Sequence, residues 1–314
     1  MSYLSVFLND RTPKAYIRDI VLFGKKSLGQ NFLIDLNVIK RIPDELDCFM
    51  QNSNCSIVEI GPGPGIMTAF MAERFPMSDL YVIEKDSAFV DLLASIPKIN
   101  IFNHDVLNFD WNLVFNSEIL HKKFVLIGNL PYNISVPILF RIFNLKDHFA
   151  GAVFMFQKEV ADRILAKENT SEYGKLSVMA QFHAKIERVM NVNPSVFWPK
   201  PKVYSSVLKF HFCDNFNGFT HDIPSLQKNS RDDFFSFYKN EIQMELFKLT
   251  SVLFQQRRKN IGTIIRNAVS MGLYTSSVNN VFDECNIDMK LRPENLKCSE
   301  FIKLSASIVL MNLH

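Results

Sequence analysis

Between about residue 55 and residue 210, short apolar runs rich in β-branched residues alternate with stretches of helical period. "SIVEI", "DLYVIE", "INIFN", "KFVLIGN" and "GAVFMF" predict strands buried on both faces, because their apolar residues run on without the alternation of a half-solvated strand. "MTAFMAERF" and "VPILFRIF" between them carry apolar residues at helical spacing. That alternation is the rhythm of a mostly parallel, doubly wound sheet. After about residue 212 no further strand pattern follows. "RDDFFSFYKNEIQMELFKLTSVLFQQRRK" through "SEFIKLSASIVLMNL" predicts helices, so the expected domains are 1–212, α/β, and 213–314, all-α, joined through the polar "CDNFNGFTHD".

Composition changes this picture little. A chain of 314 residues with 47% apolar content can bury a full core. A formal charge of +3 does not by itself demand nucleic acid. Five scattered cysteines without C-x-x-C spacing, and histidines without a metal-type pair, predict neither a disulfide framework nor a metal site. The opening "MSYLSVFLND" is too short and too polar for a secretory core or a membrane span, which points to a cytoplasmic protein with no membrane partner.

Ligands of such sheets sit at the carboxyl ends of the strands. The first strand ends in Glu59 and leads into "GPGPG", where Gly61, Gly63 and Gly65 let the backbone turn tightly before a helix near Met67. Ile66 breaks the dinucleotide fingerprint, and no Gly-Lys-Ser/Thr follows, so neither a pyrophosphate nor a phosphate cradle is expected. Glu84, about twenty residues on, is placed to accept from ribose hydroxyls, and Asp105 from an adenine's exocyclic amine. Singly, each reads as a solvated loop residue or a cap. In this order they predict S-adenosylmethionine. The next strand ends in "GNLPYNIS". Asn129 and a backbone carbonyl at Leu130 or Pro131 can hold the two N–H bonds of an adenine amine and turn its lone pair toward a methyl group, while Tyr132 stacks on the base.

These segments resemble the KsgA-type (RsmA) small-subunit rRNA adenine dimethyltransferases. "KKSLGQNFL" (25–33), "VEIGPGPG" (58–65), "VIEKD" (82–86), "HDVLNF" (104–109), "GNLPYNIS" (128–135), "FQKEVADRI" (156–164), "YGKLSVMAQ" (173–181), "FWPKPKV" (197–203) and "FQQRRK" (254–259) occur in family order. The resemblance implies a Rossmann-like methyltransferase domain with a small helical rRNA-binding domain. It implies dimethylation of two neighbouring adenines in the 3′-terminal hairpin of 16S-type rRNA, and a monomer acting on the immature small subunit. It also implies cofactor contacts from Asn31, Leu33, Gly61, Glu84, Asp105 and Asn129, with Tyr132 and Phe197 flanking the target base; Phe197, in a Pro-rich loop, is expected to be exposed. Two departures are Leu28, where the family usually has an aromatic, and Tyr204, where it usually has Asp. The Erm resistance proteins, which methylate a large-subunit adenine, share the scaffold and remain an alternative, as does a non-catalytic assembly factor.

The helix at "FQQRRK" is expected to continue through "NIGTIIRN", so that Phe254, Ile261, Ile264 and Ile265 share a face with Arg257 amid them, and Lys259 and Arg266 lie opposite. Arg257 is then expected buried against a carboxylate or carbonyl, and Lys259 and Arg266 against rRNA phosphates.

Overall fold

The computed structural model describes residues 4, 7–23, 31–51, 55–115, 123–213, 234–235 and 237–313. Residues 25–30 of the "KKSLGQNFL" segment, Leu28 among them, and most of the expected linker lie outside the described residues. The chain forms two compact units, Met1–Ala161 with Ile186–Phe212, and Asp162–Lys185 with Cys213–His314. Residues 162–185, expected within the first domain, therefore belong with the residues after 212. The reason is packing: the helix Lys175–His183 buries Leu176, Val178, Met179, Ala180 and Phe182. Around it, Lys175 Nζ donates to Ser251 Oγ at 2.7 Å and Cys298 Sγ donates to the Val178 carbonyl at 3.5 Å.

Nine strands occur among the described residues: β1 (Phe32–Leu33), β2 (Ser56–Ile60), β3 (Leu80–Glu84), β4 (Ile99–Asn103), β5 (Phe124–Asn129), β6 (Phe149–Gln157), β7 (Ala184–Val192), β8 (Phe197–Trp198) and β9 (Ser205–Phe212). Seven form one sheet in the order β4-β3-β2-β5-β6-β9-β7. The pairs from β4 through β6 are parallel and β9 runs antiparallel to β6. As the apolar runs predict, β2 and β3 are buried at every position, but β4, also expected to be buried, is the edge strand of the sheet, with Asn100 and Asn103 exposed. Ile57, Val82, Val125, Ile127, Val153, Met155 and Val207 place the sheet inside the first unit's core.

The strand order reverses between β2 and β5: β2 leads to β3 on one side, and the chain later returns to β5 on the other. A crevice opens outside the carboxyl ends of strands at such a switch point. β1 pairs separately with β8, Phe32 opposite Trp198 and Leu33 opposite Phe197.

Among the described residues after 212 every regular element is helical. In the second unit, helices Lys239–Phe254 and Cys298–Leu313 bury Leu246, Leu249, Leu253, Phe301, Leu304 and Ile308. The continuous helix expected across "FQQRRKNIGTIIRN" is broken. It ends at Phe254, and Asn260 caps a new helix, Ile261–Ser270, by accepting from Thr263 N–H at 2.8 Å. Arg257 consequently sits in the connection. Its Nη2 donates to the carbonyls of Ser171 (2.7 Å) and Tyr173 (2.9 Å), as expected for its partners, but the residue is exposed rather than buried. Lys259 and Arg266 are exposed.

Candidate functional site

The crevice at the β2/β5 switch is an open cleft of the first unit. Asn31, Leu33, Gly61, Glu84, Asp105, Asn129, Leu130, Pro131 and Tyr132 all line it, together with Glu59, Lys85 and His104. Eleven of these twelve residues flank strand ends in the order read along the chain, and Glu59 lies inside β2.

Its floor is the glycine turn. Gly61, Gly63 and Gly65 take φ of 67°, 54° and 80°, left-handed values that a side chain would strain. At Gly65 an added Cβ would also meet the Leu93 side chain at 2.9 Å. The helix that follows, Ile66–Arg74, starts directly from this turn.

Glu84 ends β3 with its carboxylate turned under the turn. Oε2 accepts from Gly63 N–H at 2.9 Å and Oε1 from Asp86 N–H at 2.8 Å. Burial to 3% exposure pushes its carboxyl up from the usual carboxylate range, and these backbone donors pull the other way. Glu84 is therefore a support of the loop as well as a candidate ribose acceptor.

Asp105 lies two residues beyond β4. Lys85 Nζ donates to Oδ2 at 2.9 Å and Leu107 N–H to Oδ1 at 3.0 Å, and the Lys85 hydrogen bond holds its pKa below the ordinary value.

The sequence places Glu59 at the end of the first strand and predicts no role for it. It is 1% exposed, and its Oε2 accepts from the Thr68 hydroxyl at 2.6 Å. Oε1 has no hydrogen-bond partner among the described residues. Desolvation pushes its pKa up to about 8, with the Thr68 hydrogen bond opposing and the Glu84 charge adding. The signal that could have found it is an acid inside a fully buried strand, immediately before a glycine turn.

Asn129 ends β5. Its Nδ2 donates to the Asn31 carbonyl at 3.1 Å. Only an amide nitrogen can face a carbonyl oxygen there, so the bond fixes the amide's orientation and leaves Oδ1 as a free-standing acceptor. Leu130 is buried, and the Pro131 carbonyl closes the next turn by accepting from Ile134 N–H at 3.1 Å. The Tyr132 hydroxyl lies 2.7 Å from Ser205 Oγ.

Phe197 does not join this set. It is 2% exposed, held by the β1–β8 pairing opposite Leu33 and packed into the first unit's core. The Pro-rich sequence around it suggested a surface loop, but the strand pairing turns the ring inward, where it offers no face to a base. Tyr204, the departure from the family pattern, is half exposed, and only its backbone is used, accepting from Lys158 N–H at 2.8 Å.

The donor set fits S-adenosylmethionine. Glu84 and Asp105 present carboxyl oxygens at the strand ends, and Glu59 Oε1 is a buried polar atom with no protein partner among the described residues, which a polar group of the cofactor could meet. Gly61 and Gly63 keep side chains off the floor. Among the described residues no helix is long and apolar enough to cross a membrane.

Residues 22–217 match the family model of the ribosomal RNA adenine dimethylases. The chain is 35% identical over 286 residues to ribosomal RNA small subunit methyltransferase A of Pelagibacter ubique, covering 90% of this chain and 95% of that protein. It is 36% identical over 291 residues to the Buchnera aphidicola protein of the same name, covering 92% and 98%. Among solved structures, a dimethyladenosine transferase from Plasmodium falciparum superposes with a TM-score of 0.65 at 22% identity, over 90% of this chain and 98% of that one. The 23S rRNA methyltransferase ErmE gives 0.52 at 20% identity over 89% and 100%, a likeness of fold alone. With the acidic cleft, the glycine turn and the Asn129-Pro131-Tyr132 set in place, the chain belongs to the ribosomal RNA adenine dimethylase family and is an S-adenosylmethionine-dependent methyltransferase.

Proposed function

We propose that the protein dimethylates the N6 amines of two adjacent adenosines in the 3′-terminal hairpin loop of 16S-type small-subunit rRNA, acting as a monomer on the immature subunit. The observation that carries this reading is Asn129: its amide is pinned through Nδ2 to the Asn31 carbonyl, so that Oδ1 stands ready as an acceptor at the edge of the acidic cleft.

An adenine amine is a poor nucleophile because its lone pair is delocalised into the ring. Asn129 Oδ1 and a carbonyl at Leu130 or Pro131 accept its two N–H bonds, which turns the lone pair out of conjugation and stabilises the positive charge that develops on nitrogen. When bound, S-adenosylmethionine would supply an electrophilic methyl carbon with a neutral thioether as its leaving group. Glu84 is the proposed ribose partner, Asp105 the adenine partner, and Asn31, Leu33 and Gly61 shape the remaining contacts. Tyr132 stacks on the extruded base. The alkylated amine is acidic enough to lose its proton to water, so no general base is needed.

The test is to incubate the protein with labelled S-adenosylmethionine and unmodified ribosomal subunits and to map the label. Two dimethyladenosines near the 3′ end of the small-subunit rRNA are expected. Label in 23S rRNA alone would establish an Erm-type enzyme instead, and no transfer to either subunit would leave a binding factor.

A further inference from the structure

The antiparallel strand has a use at the site that the parallel strands cannot supply. β9 runs against β6, with Ser205 opposite Gln157 and Val207 opposite Met155, and Met155 in turn stands opposite Asn129 on β5. The amino end of β9 therefore arrives at the same sheet edge as the carboxyl end of β5. Ser205, its first residue, is fully buried, and the contact its hydroxyl makes there is with the Tyr132 hydroxyl at 2.7 Å.

Tyr132 is thereby held at both ends. Its backbone carbonyl accepts from the Ser135 hydroxyl at 3.2 Å, and the turn is closed by Ile134 N–H onto the Pro131 carbonyl. The ring hangs between that turn and Ser205. Burial keeps the phenol's pKa above its ordinary value, so the neutral hydroxyl is present to share the hydrogen bond. The adjacent Ser206 points to the other face of the strand, where its Oγ donates to Asn191 Oδ1 at 2.7 Å. Two neighbouring serines thus divide the work, one tying strand to strand and the other reaching the site.

We infer that Ser205 is a positioning residue for methyl transfer, anchoring the Tyr132 ring at the angle from which it stacks on the target adenine. The inference rests on the proposed stacking role of Tyr132 and goes beyond it. An untethered ring can swing about two side-chain torsions and must be re-ordered each time a base enters, a cost that falls on turnover and not on the cofactor.

The experiment is a double-mutant cycle read by single-turnover methylation of small subunits, with cofactor affinity measured separately. Ser205→Ala and Tyr132→Phe each remove the same hydrogen bond, and each is expected to slow transfer by roughly 3- to 10-fold while leaving S-adenosylmethionine binding unchanged. The double variant should be no slower than the slower single one. Ser205→Thr, which keeps the hydroxyl, should restore most of the rate. Ser206→Ala, a loss of comparable size on the opposite face, should show no coupling to Tyr132→Phe. Multiplying losses in the Ser205→Ala/Tyr132→Phe double variant, or a folded Ser205→Ala enzyme at full rate, would overturn the tether. Tyr132→Ala isolates the underlying reading: full activity there would refute stacking, whereas a large loss beside an unaffected Ser205→Ala enzyme would keep stacking and remove the tether alone. If Ser205→Ala fails to fold, Tyr132→Phe and Ser205→Thr still decide the matter from either side of the bond.

Discussion

Replacing Glu59 with Gln should remove a pH dependence from the stability of the first unit. Below an unfolded-state pKa of 4.5, Glu59 is protonated in both folded and unfolded chains and costs nothing. As pH rises past that value the unfolded chain ionises, while burial keeps the folded group neutral up to about 8. The unfolded state then binds fewer protons than the folded one, so stability falls with rising pH and levels off above about 8. At 1.36 kcal/mol per unit, the rise from 4.5 to about 8 corresponds to roughly 3–5 kcal/mol lost across that window. Gln is nearly isosteric, can still meet the Thr68 hydroxyl and does not titrate. Glu84, also raised by burial, adds a slope of the same sign that both proteins retain, so the difference between them isolates Glu59. Both tryptophans, Trp111 and Trp198, lie in the first unit, so their fluorescence during urea unfolding reports on that unit alone. Midpoints should diverge between pH 5 and 8, with the Gln variant more stable at the upper end. Curves that stay parallel across the range would show that Glu59 ionises freely in the folded protein.

Three further outcomes follow from the site. Asn129→Ala should cut turnover by about 10²–10³-fold with subunit docking retained, and monomethyladenosine should accumulate, because the second transfer has one N–H left for two acceptors; mass spectrometry of digested rRNA checks this, and dimethyladenosine formed at the normal rate refutes it. Glu84→Ala should weaken S-adenosylmethionine by on the order of tenfold or more and also destabilise the first unit, since Gly63 and Asp86 lose their acceptor; calorimetric titration showing unchanged affinity in a folded variant would remove the ribose role. Reversing the charges of the exposed Lys259 and Arg266 to Glu should weaken subunit binding and flatten its salt dependence by about one unit per lost phosphate contact, with cofactor affinity unaltered; an unchanged salt slope places the rRNA elsewhere.

Much of the first unit was readable because its chemistry follows its topology. The strands of the first unit are mostly apolar, so Gly61, Glu84, Asp105 and Asn129, at or just past their carboxyl ends, stand out against the pattern, whereas Glu59, inside β2, does not. What was not readable depends on partners distant in sequence. Phe197 looked like a loop aromatic until β1 paired with β8 and drew it into the core. Residues 162–185 lie between β6 and β7 in sequence but bury their helix against the C-terminal helices. The break after Phe254 did carry a local signal, Asn260 before "IGTIIRN", a cap residue ahead of an apolar helical run. Periodicity overlooked it because Ile261, Ile264 and Ile265 keep the phase of the preceding helix by coincidence of spacing.

Under the proposed mechanism, the amide at Asn129 also accounts for the absence of a carboxylate where a developing positive charge is to be stabilised. An Asp would place an oxygen opposite the Asn31 carbonyl, exchanging a hydrogen bond of 3.1 Å for repulsion between two acceptors. It would further add a negative group to a cleft that already contains Glu59 and Glu84, both of which burial holds toward the neutral form. An added carboxylate would then be protonated itself, becoming a donor where an acceptor is needed, or would stay charged at a desolvation cost set against its benefit to the transition state. Asn avoids both. Its nitrogen is committed to the backbone, its oxygen is an acceptor at every pH, and its dipole is oriented before the adenine arrives, which is the condition under which a neutral group stabilises charge without reorganising.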